Sequence, residues 1–209
     1  MKQLEWEVRM TLNEIRKDTR FWQRMLRLGG YYTGAIDGIR GVLQEAAEEA
    51  WNADVYAAKQ ELGVYDERSE QNIATLLPAA QRVARAWLRL AVPAAAKDGF
   101  AVKIICGTRT YAEQDALYAQ GRTKSGAKVT NAKGGFSLHN FGLAFDFGLF
   151  SPSGKTYFGN SKFYGVLGKL AVGMPQTTWG GTWKNPEDEP HIQLDMFSSV
   201  KKARETFNK

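Results

Sequence analysis

A chain of 209 residues with 44% hydrophobic side chains can form one medium domain, or a small domain joined to one of ordinary size, around a proper core. No run approaches the ~20 consecutive apolar residues of a membrane span, and a single cysteine excludes an intramolecular disulfide framework or a multi-cysteine zinc site. The net charge of +6 is unevenly divided: residues 1–76 hold 10 Lys/Arg against 13 Asp/Glu, and residues 77–209 hold 18 against 9, so the second half suits an anionic partner.

The basic residues are scattered and not interleaved with aromatics in a recognisable module, so no nucleic-acid partner is expected. The charged N-terminus lacks an apolar signal core and a cleavage site, which predicts that the chain begins in the cytoplasm.

In chain order, Leu4, Val8, Leu12, Ile15, Phe21, Met25 and Leu28 recur at helical spacing and predict one long helix closed by Gly29 and Gly30. A turn-rich link, YYTGAIDGIRG, leads into a second, alanine-rich helix over 42–63. The segment LRLGGYYTGAIDGIRGVLQEAAEEA resembles the repeat of the three-helix peptidoglycan-binding modules. That resemblance implies a wall-binding role with Tyr31, Tyr32 and Asp37 in the motif. Asp37 is also suited to satisfy backbone donors within its own loop, and a helical cap on a second domain is the competing reading.

Polar residues and a change of charge sign predict a domain boundary within 63–81, placed at 76/77, which gives a helical module over 1–76 and a second domain over 77–209. Beyond it the pattern reads as a helix ending near Pro93 or Gly99, a strand at AVKIICGTR, a helix at TYAEQDALYAQGR, a strand at GLAFDFGLF, a helix at SKFYGVLGKLAVG and a strand at HIQLDMF. Strands and helices without regular βαβ spacing predict an α+β fold with a mostly antiparallel sheet flanked by helices.

Alternation puts Ala144 and Asp146 on one strand face and Phe145 and Phe147 on the other. Gly142 lets the approach bend so that His139 can swing onto the Asp146 face, and His191 opens a later strand with Ile192 and Leu194 pointing away. Two imidazoles, one carboxylate and an open fourth position would make a catalytic zinc site. Spacing alone leaves structural histidines as an equal reading. Cys106, in an apolar run, reads as a small core residue.

SLHNFGLAFD matches the Ser-x-His-x-x-Gly-x-Ala-x-Asp signature of zinc peptidases that include D-Ala-D-Ala carboxypeptidases, dipeptidases and phage endolysins cutting L-Ala-D-Glu bonds. GTRTYAEQDALYAQGRT and WGGTW…DEPHIQ are similar to further motifs of that family, with Thr110, Thr182 and Ile192 as departures. The resemblance, over about residues 77–200, implies zinc held by His139, Asp146 and His191, a general base at Asp188, and Arg109 in the cleft to stabilise an oxyanion. Strand alternation instead favours Glu189 beside His191, leaving it as the rival base, with Glu187 solvated. Ser137 either binds substrate or caps its loop, and Trp179 and Trp183 either wall the cleft or pack a turn.

The implied activity is a phage-type zinc endopeptidase acting on the L-Ala-D-Glu bond of peptidoglycan. Alternatives are a D-Ala-D-Ala carboxypeptidase and a non-catalytic wall-binding protein with structural zinc. The implied setting is a monomer without stable membrane insertion, resident in a host cytoplasm before lysis and in the periplasm or wall afterwards.

Overall fold

The computed structural model describes residues 10–184 and 186–209; the predicted helical positions Leu4 and Val8 lie outside the described residues. The first predicted helix is two: α1 (Leu12–Lys17) and α2 (Thr19–Leu28). Asp18 divides them because it takes an extended conformation and its carboxylate accepts from Phe21 N at 3.0 Å, capping α2. A capping box between Thr11 and Glu14 starts α1. Helix α3 (Val42–Leu62) follows as expected.

The segment read as a boundary holds a helix, α4 (Glu67–Ile73). Its residues bond to the strand β1 (Ala101–Cys106): Ser69 Oγ accepts from Ile104 N at 2.9 Å, and Asn72 Nδ2 donates to Ile104 O at 3.2 Å. Helix α5 (Pro78–Lys97) starts with proline at its first turn, where no N–H is needed, and runs through Pro93 to end before Gly99, whose φ is +75°.

Strand β1 (Ala101–Cys106), helix α6 (Tyr111–Ala119), strands β2 (Ala144–Phe150) and β3 (Tyr157–Phe158), helix α7 (Phe163–Val172), strands β4 (Thr177–Trp179) and β5 (His191–Leu194), and helix α8 (Val200–Asn208) complete the order. The sheet runs β1-β2-β5-β4 with β3 pairing the far end of β2, and every pairing is antiparallel. This is the α+β architecture predicted, with two short strands and two helices that carry too little periodicity to be read in advance.

One face of the sheet is greasy. Phe145 and Phe147 meet Trp87 of α5 at ring-centroid distances of 6.0 and 4.6 Å, and Phe147 meets Tyr164 of α7 at 5.2 Å. The other face carries Ala144 and Asp146. The core is continuous from Ile15, Trp22 and Met25 through Trp87 and Phe147 to Phe207, so the helices before residue 77 share their apolar packing with the sheet. Helix α8 closes the circuit, its Phe207 packing on Phe21 of α2 and on Phe141 at 5.3 and 5.4 Å. Among the described residues no helix is long and apolar enough to cross a membrane.

Candidate metal centre

His139 sits in a 3-10 turn, Leu138–Phe141, that local chemistry fixes at both ends. Ser137 caps it, accepting from His139 N at 3.4 Å, and Gly142 ends it with φ +65°, where a Cβ would meet Met25 Cε at 2.7 Å and Leu77 N at 3.0 Å. Asn140, fully buried, accepts from Gly135 N at 3.0 Å and donates to Arg109 O at 3.0 Å, tying this turn to the loop after β1. Ser137 is therefore the cap of its loop, the second of the two readings open for it.

The His139 ring is 1% exposed, and its Nδ1 bonds Gly107 O at 2.8 Å. A carbonyl only accepts, so Nδ1 carries the proton and Nε2 presents a bare lone pair. Burial first, then the charge of Arg109, pull the imidazole pKa down to about 4 against the opposing pull of Asp146, which keeps the ring neutral.

Register brings the other two groups together. Asp146 on β2 lies directly opposite His191 on β5. His191 Nε2 contacts Gln193 Oε1 at 3.1 Å, which leaves Nδ1 facing the cluster. His139 Nε2 is 3.1 Å from Asp146 Oδ1 and 3.1 Å from His191 Nδ1, and His191 Nδ1 is 3.4 Å from Asp146 Oδ1.

These distances fit one metal ion. Tetrahedral bonds of the length zinc makes to nitrogen and oxygen separate their donors by about 3.3 Å. Two lone pairs and an ionised oxygen facing one another share no proton and repel, and a cation among them makes all three favourable. Cys106, His139 and Asp146 also lie close enough to be a ligand set. Its thiol, however, approaches His139 at Nδ1, 3.8 Å away, the nitrogen committed to Gly107 O. The chemistry of the donors favours His139, Asp146 and His191.

Arg109 lies at the candidate centre, against Asp146. Its Nη2 donates to Asp146 Oδ2, Nε contacts Cys106 Sγ at 3.1 Å and Nη1 donates to Gln114 Oε1 at 3.3 Å. The guanidinium is spent on holding the carboxylate, with 13% of its side chain exposed, and does not project into an open cleft. Burial pushes the Asp146 carboxyl up, but its neighbours, the Arg109 guanidinium among them, outweigh it and hold it well below the usual carboxylate range.

The two rival acids separate because the chain turns before β5. His191 N donates to Asp188 O at 3.1 Å and Asp188 N to Gly180 O at 3.1 Å, a turn that breaks strand alternation. Glu189 Oε1 runs to α7, 3.3 Å from where a Cβ on Gly165 would lie. Asp188 faces the donors: burial and then the negative charge of Asp146 raise its pKa, while His191 and Arg109 pull it back down.

Trp179 does not wall a cleft. Its ring is 5% exposed, donates to Glu189 O at 2.7 Å and is packed so tightly that a Cβ on Gly168 would fall 2.0 Å from it. Trp183 is the tryptophan at the site, its ring 4.9 Å from that of His191. Of the N-terminal motif residues Tyr32 is buried, Tyr31 half-buried and Asp37 exposed. Tyr32, 6% exposed, donates to Ala35 O at 2.8 Å; Asp37 accepts from Ile39 N at 2.8 Å and from Gln23 at 2.9 Å; Tyr31 packs on Trp51 and bonds Asp54.

Gly107, Gln114, Asn140 and Gln193 hold the ligands and their partners and were not singled out from the sequence. All four lie within the family-like motifs, Gly107 and Gln114 in GTRTYAEQDALYAQGRT, Asn140 in SLHNFGLAFD and Gln193 in DEPHIQ, and a glutamine two residues from a histidine on one strand was a further signal.

The arrangement is a candidate metal centre. Residues 78–172, the segment holding Arg109, His139 and Asp146, match the family profile described as VanY: D-alanyl-D-alanine carboxypeptidase. The chain is 44% identical over 110 residues to the peptidoglycan L-alanyl-D-glutamate endopeptidase CwlK of Bacillus subtilis (strain 168), across 48% of this chain and 65% of that relative. The chain thus spans a little under two thirds of that relative's length. It is also similar to the solved L-Ala D-Glu endopeptidase ChiX of Serratia marcescens, at 26% identity over 62% of this chain and 88% of that one, with a TM-score of 0.44.

Proposed function

We propose that this protein is a zinc-dependent peptidase that hydrolyses the L-Ala-D-Glu bond of peptidoglycan stem peptides. The observation that carries the reading is the convergence of His139, Asp146 and His191, within 3.4 Å of one another, beside Asp188. The 44% identity to an endopeptidase of that specificity supports the choice of bond.

Zinc held by these three residues would polarise the scissile carbonyl and acidify a water molecule. The protein's own side chains do the rest. Asp188 accepts the proton of the attacking water at its carboxylate and returns it to the amine of D-Glu as the C–N bond breaks. Its raised affinity for a proton, set by burial and by Asp146, suits a group that must hold that proton between the two steps. Arg109 fixes the second oxygen of Asp146, and Gly107 O fixes the tautomer of His139. Trp183 covers one side of the His191 ring.

The family description favours a second reading, removal of a terminal D-Ala. That specificity calls for a cation on the substrate's free carboxylate, and the buried guanidinium at the donors is committed to Asp146. Mass spectrometry of fragments released from purified peptidoglycan decides: new L-Ala C-termini support the endopeptidase, and loss of D-Ala alone overturns it.

We further propose a phage endolysin setting: a monomer in the host cytoplasm before lysis that reaches periplasm or wall afterwards. The basic balance of residues 77–209 supports attraction to an anionic wall. Tyr32 is buried in its loop, so any wall contact by the N-terminal motif falls to exposed surface such as that of Asp37 and the outer part of Tyr31. Lysis from outside by the added protein only after membrane permeabilisation is the expected result.

A further inference from the structure

Gln193 shares the face of β5 with His191, because residues two apart on a strand point the same way. Among the described residues it is the protein group that meets His191 Nε2, at 3.1 Å through Oε1. A carboxamide has an accepting end and a donating end, and which end meets the imidazole decides the ring's tautomer. If the amino group faced Nε2, that nitrogen would have to accept, the proton would move to Nδ1, and Nδ1 would lose the lone pair a metal needs.

The structure fixes the choice from the far side. Gln193 Nε2 donates to Asp195 Oδ1 at 2.7 Å, and Thr178 Oγ1, from the neighbouring strand β4, donates to Asp195 Oδ2. An ionised carboxylate accepts only, so it draws the amino end of Gln193 toward itself and turns the oxygen toward His191. Asp195 is thereby the reference of a three-residue chain ending at a ligating nitrogen. The His139 ring gets the same service from a backbone carbonyl, which cannot rotate. His191 depends on a side chain that can, so an orienting acid is required here and not there.

We propose that Gln193 is a positioning residue, oriented by Asp195 and Thr178, that holds His191 in the Nε2–H tautomer and so keeps Nδ1 available to the metal. This rests on the zinc reading above and deepens it. Loss of such a partner of a metal-ligating histidine lowers metal affinity roughly 10- to 100-fold.

The test measures zinc affinity by competition with a chromophoric chelator, and the ring protonation of His191 by two-bond 1H–15N spectra of zinc-depleted protein. Wild type should show one tautomer, protonated at Nε2. Gln193→Ala, folded by circular dichroism, should show mixed tautomers and bind zinc roughly 10- to 100-fold more weakly. The exchange variant Gln193→Glu with Asp195→Asn keeps an acceptor toward His191, a donor–acceptor pair between 193 and 195, and an acceptor for Thr178. It should restore the single tautomer and most of the affinity. A Gln193→Ala protein with unchanged tautomer and affinity, or an exchange variant as impaired as Gln193→Ala, overturns the inference. Wild type that binds no zinc overturns the function proposed above instead.

Discussion

Arg109 Nη2 donates to Asp146 Oδ2 while Oδ1 of the same carboxylate faces both imidazoles, so one side chain is shared between a fixed cation and the candidate metal. The guanidinium takes a third partner in Gln114 Oε1 at 3.3 Å, and Gln114 in turn donates to Ala132 O at 2.9 Å. A planar fork with several donors is needed to hold this network.

Arg109→Lys should therefore weaken zinc binding by about tenfold or more, by analogy with other supports of ligating groups, and lower turnover with it. Chelator competition on the purified variant checks this. If Arg109 acted only on the oxyanion, turnover would fall and zinc affinity would not move.

The turn before β5 aims Asp188 at the donors and Glu189 at Gly165. Asp188→Asn should cost about 10²-fold or more in kcat, the range for loss of general acid–base catalysis. Glu189→Gln should stay within a few-fold of wild type. Steady-state kinetics on a defined stem peptide separates them, and the reverse pattern would reassign the proton carrier.

Gly107 is a backbone approach that no side chain permits. A Cβ there would lie 2.4 Å from Asn72 O and 2.4 Å from Thr75 Oγ1, and Thr108 N donates to that same hydroxyl at 2.9 Å. Gly107→Ala must push β1's exit away from α4 and move the carbonyl that holds His139. We expect a loss of about 1–3 kcal/mol in stability, typical of overpacking, together with weaker zinc binding. Urea denaturation and chelator competition read the two effects.

A pH effect on stability should arise far from the metal, at Glu70. Its oxygens accept from Arg85 Nη1 at 2.6 Å and Nη2 at 2.7 Å, and from Tyr65 N at 2.9 Å. Burial raises its pKa, but the Arg85 hydrogen bonds and charge and the Tyr65 N–H outweigh that and leave it lowered in the folded state. A lowered folded pKa means that the stabilisation is complete above the unfolded glutamate pKa, about 4.3, and is lost as pH falls through the folded value. Glu70→Gln also strands an Arg85 guanidinium whose side chain is 0% exposed, at a cost of about 3 kcal/mol. Unfolding free energies from pH 7 to pH 3 should fall for wild type and converge on the variant.

The convergence of His139, Asp146 and His191 was legible because they lie in short segments whose order and spacing resemble a family signature. Strand alternation correctly put Ala144 with Asp146 and opposed them to Phe145 and Phe147. The same rule misdirected the choice near His191, since Glu189 precedes the strand and the turn at 188–191 overrides a period of two. Trp179 and Trp183, alike in sequence, took opposite fates: close approach of Gly168 and Gly181 encloses one and leaves the other against His191. The boundary expected near residue 76 was drawn from polarity, whereas α4 is polar outward and bonded to β1 inward.

Residue types and their spacing along the chain determined which side chains can bind a metal and which strands carry them. Tertiary structure alone decided what each of those side chains faces. The reason is physical: donor chemistry and strand period are local, while a tautomer, an ion pair or a carboxylate's direction depends on partners distant in the chain, such as Arg109 and Asp146, 37 residues apart.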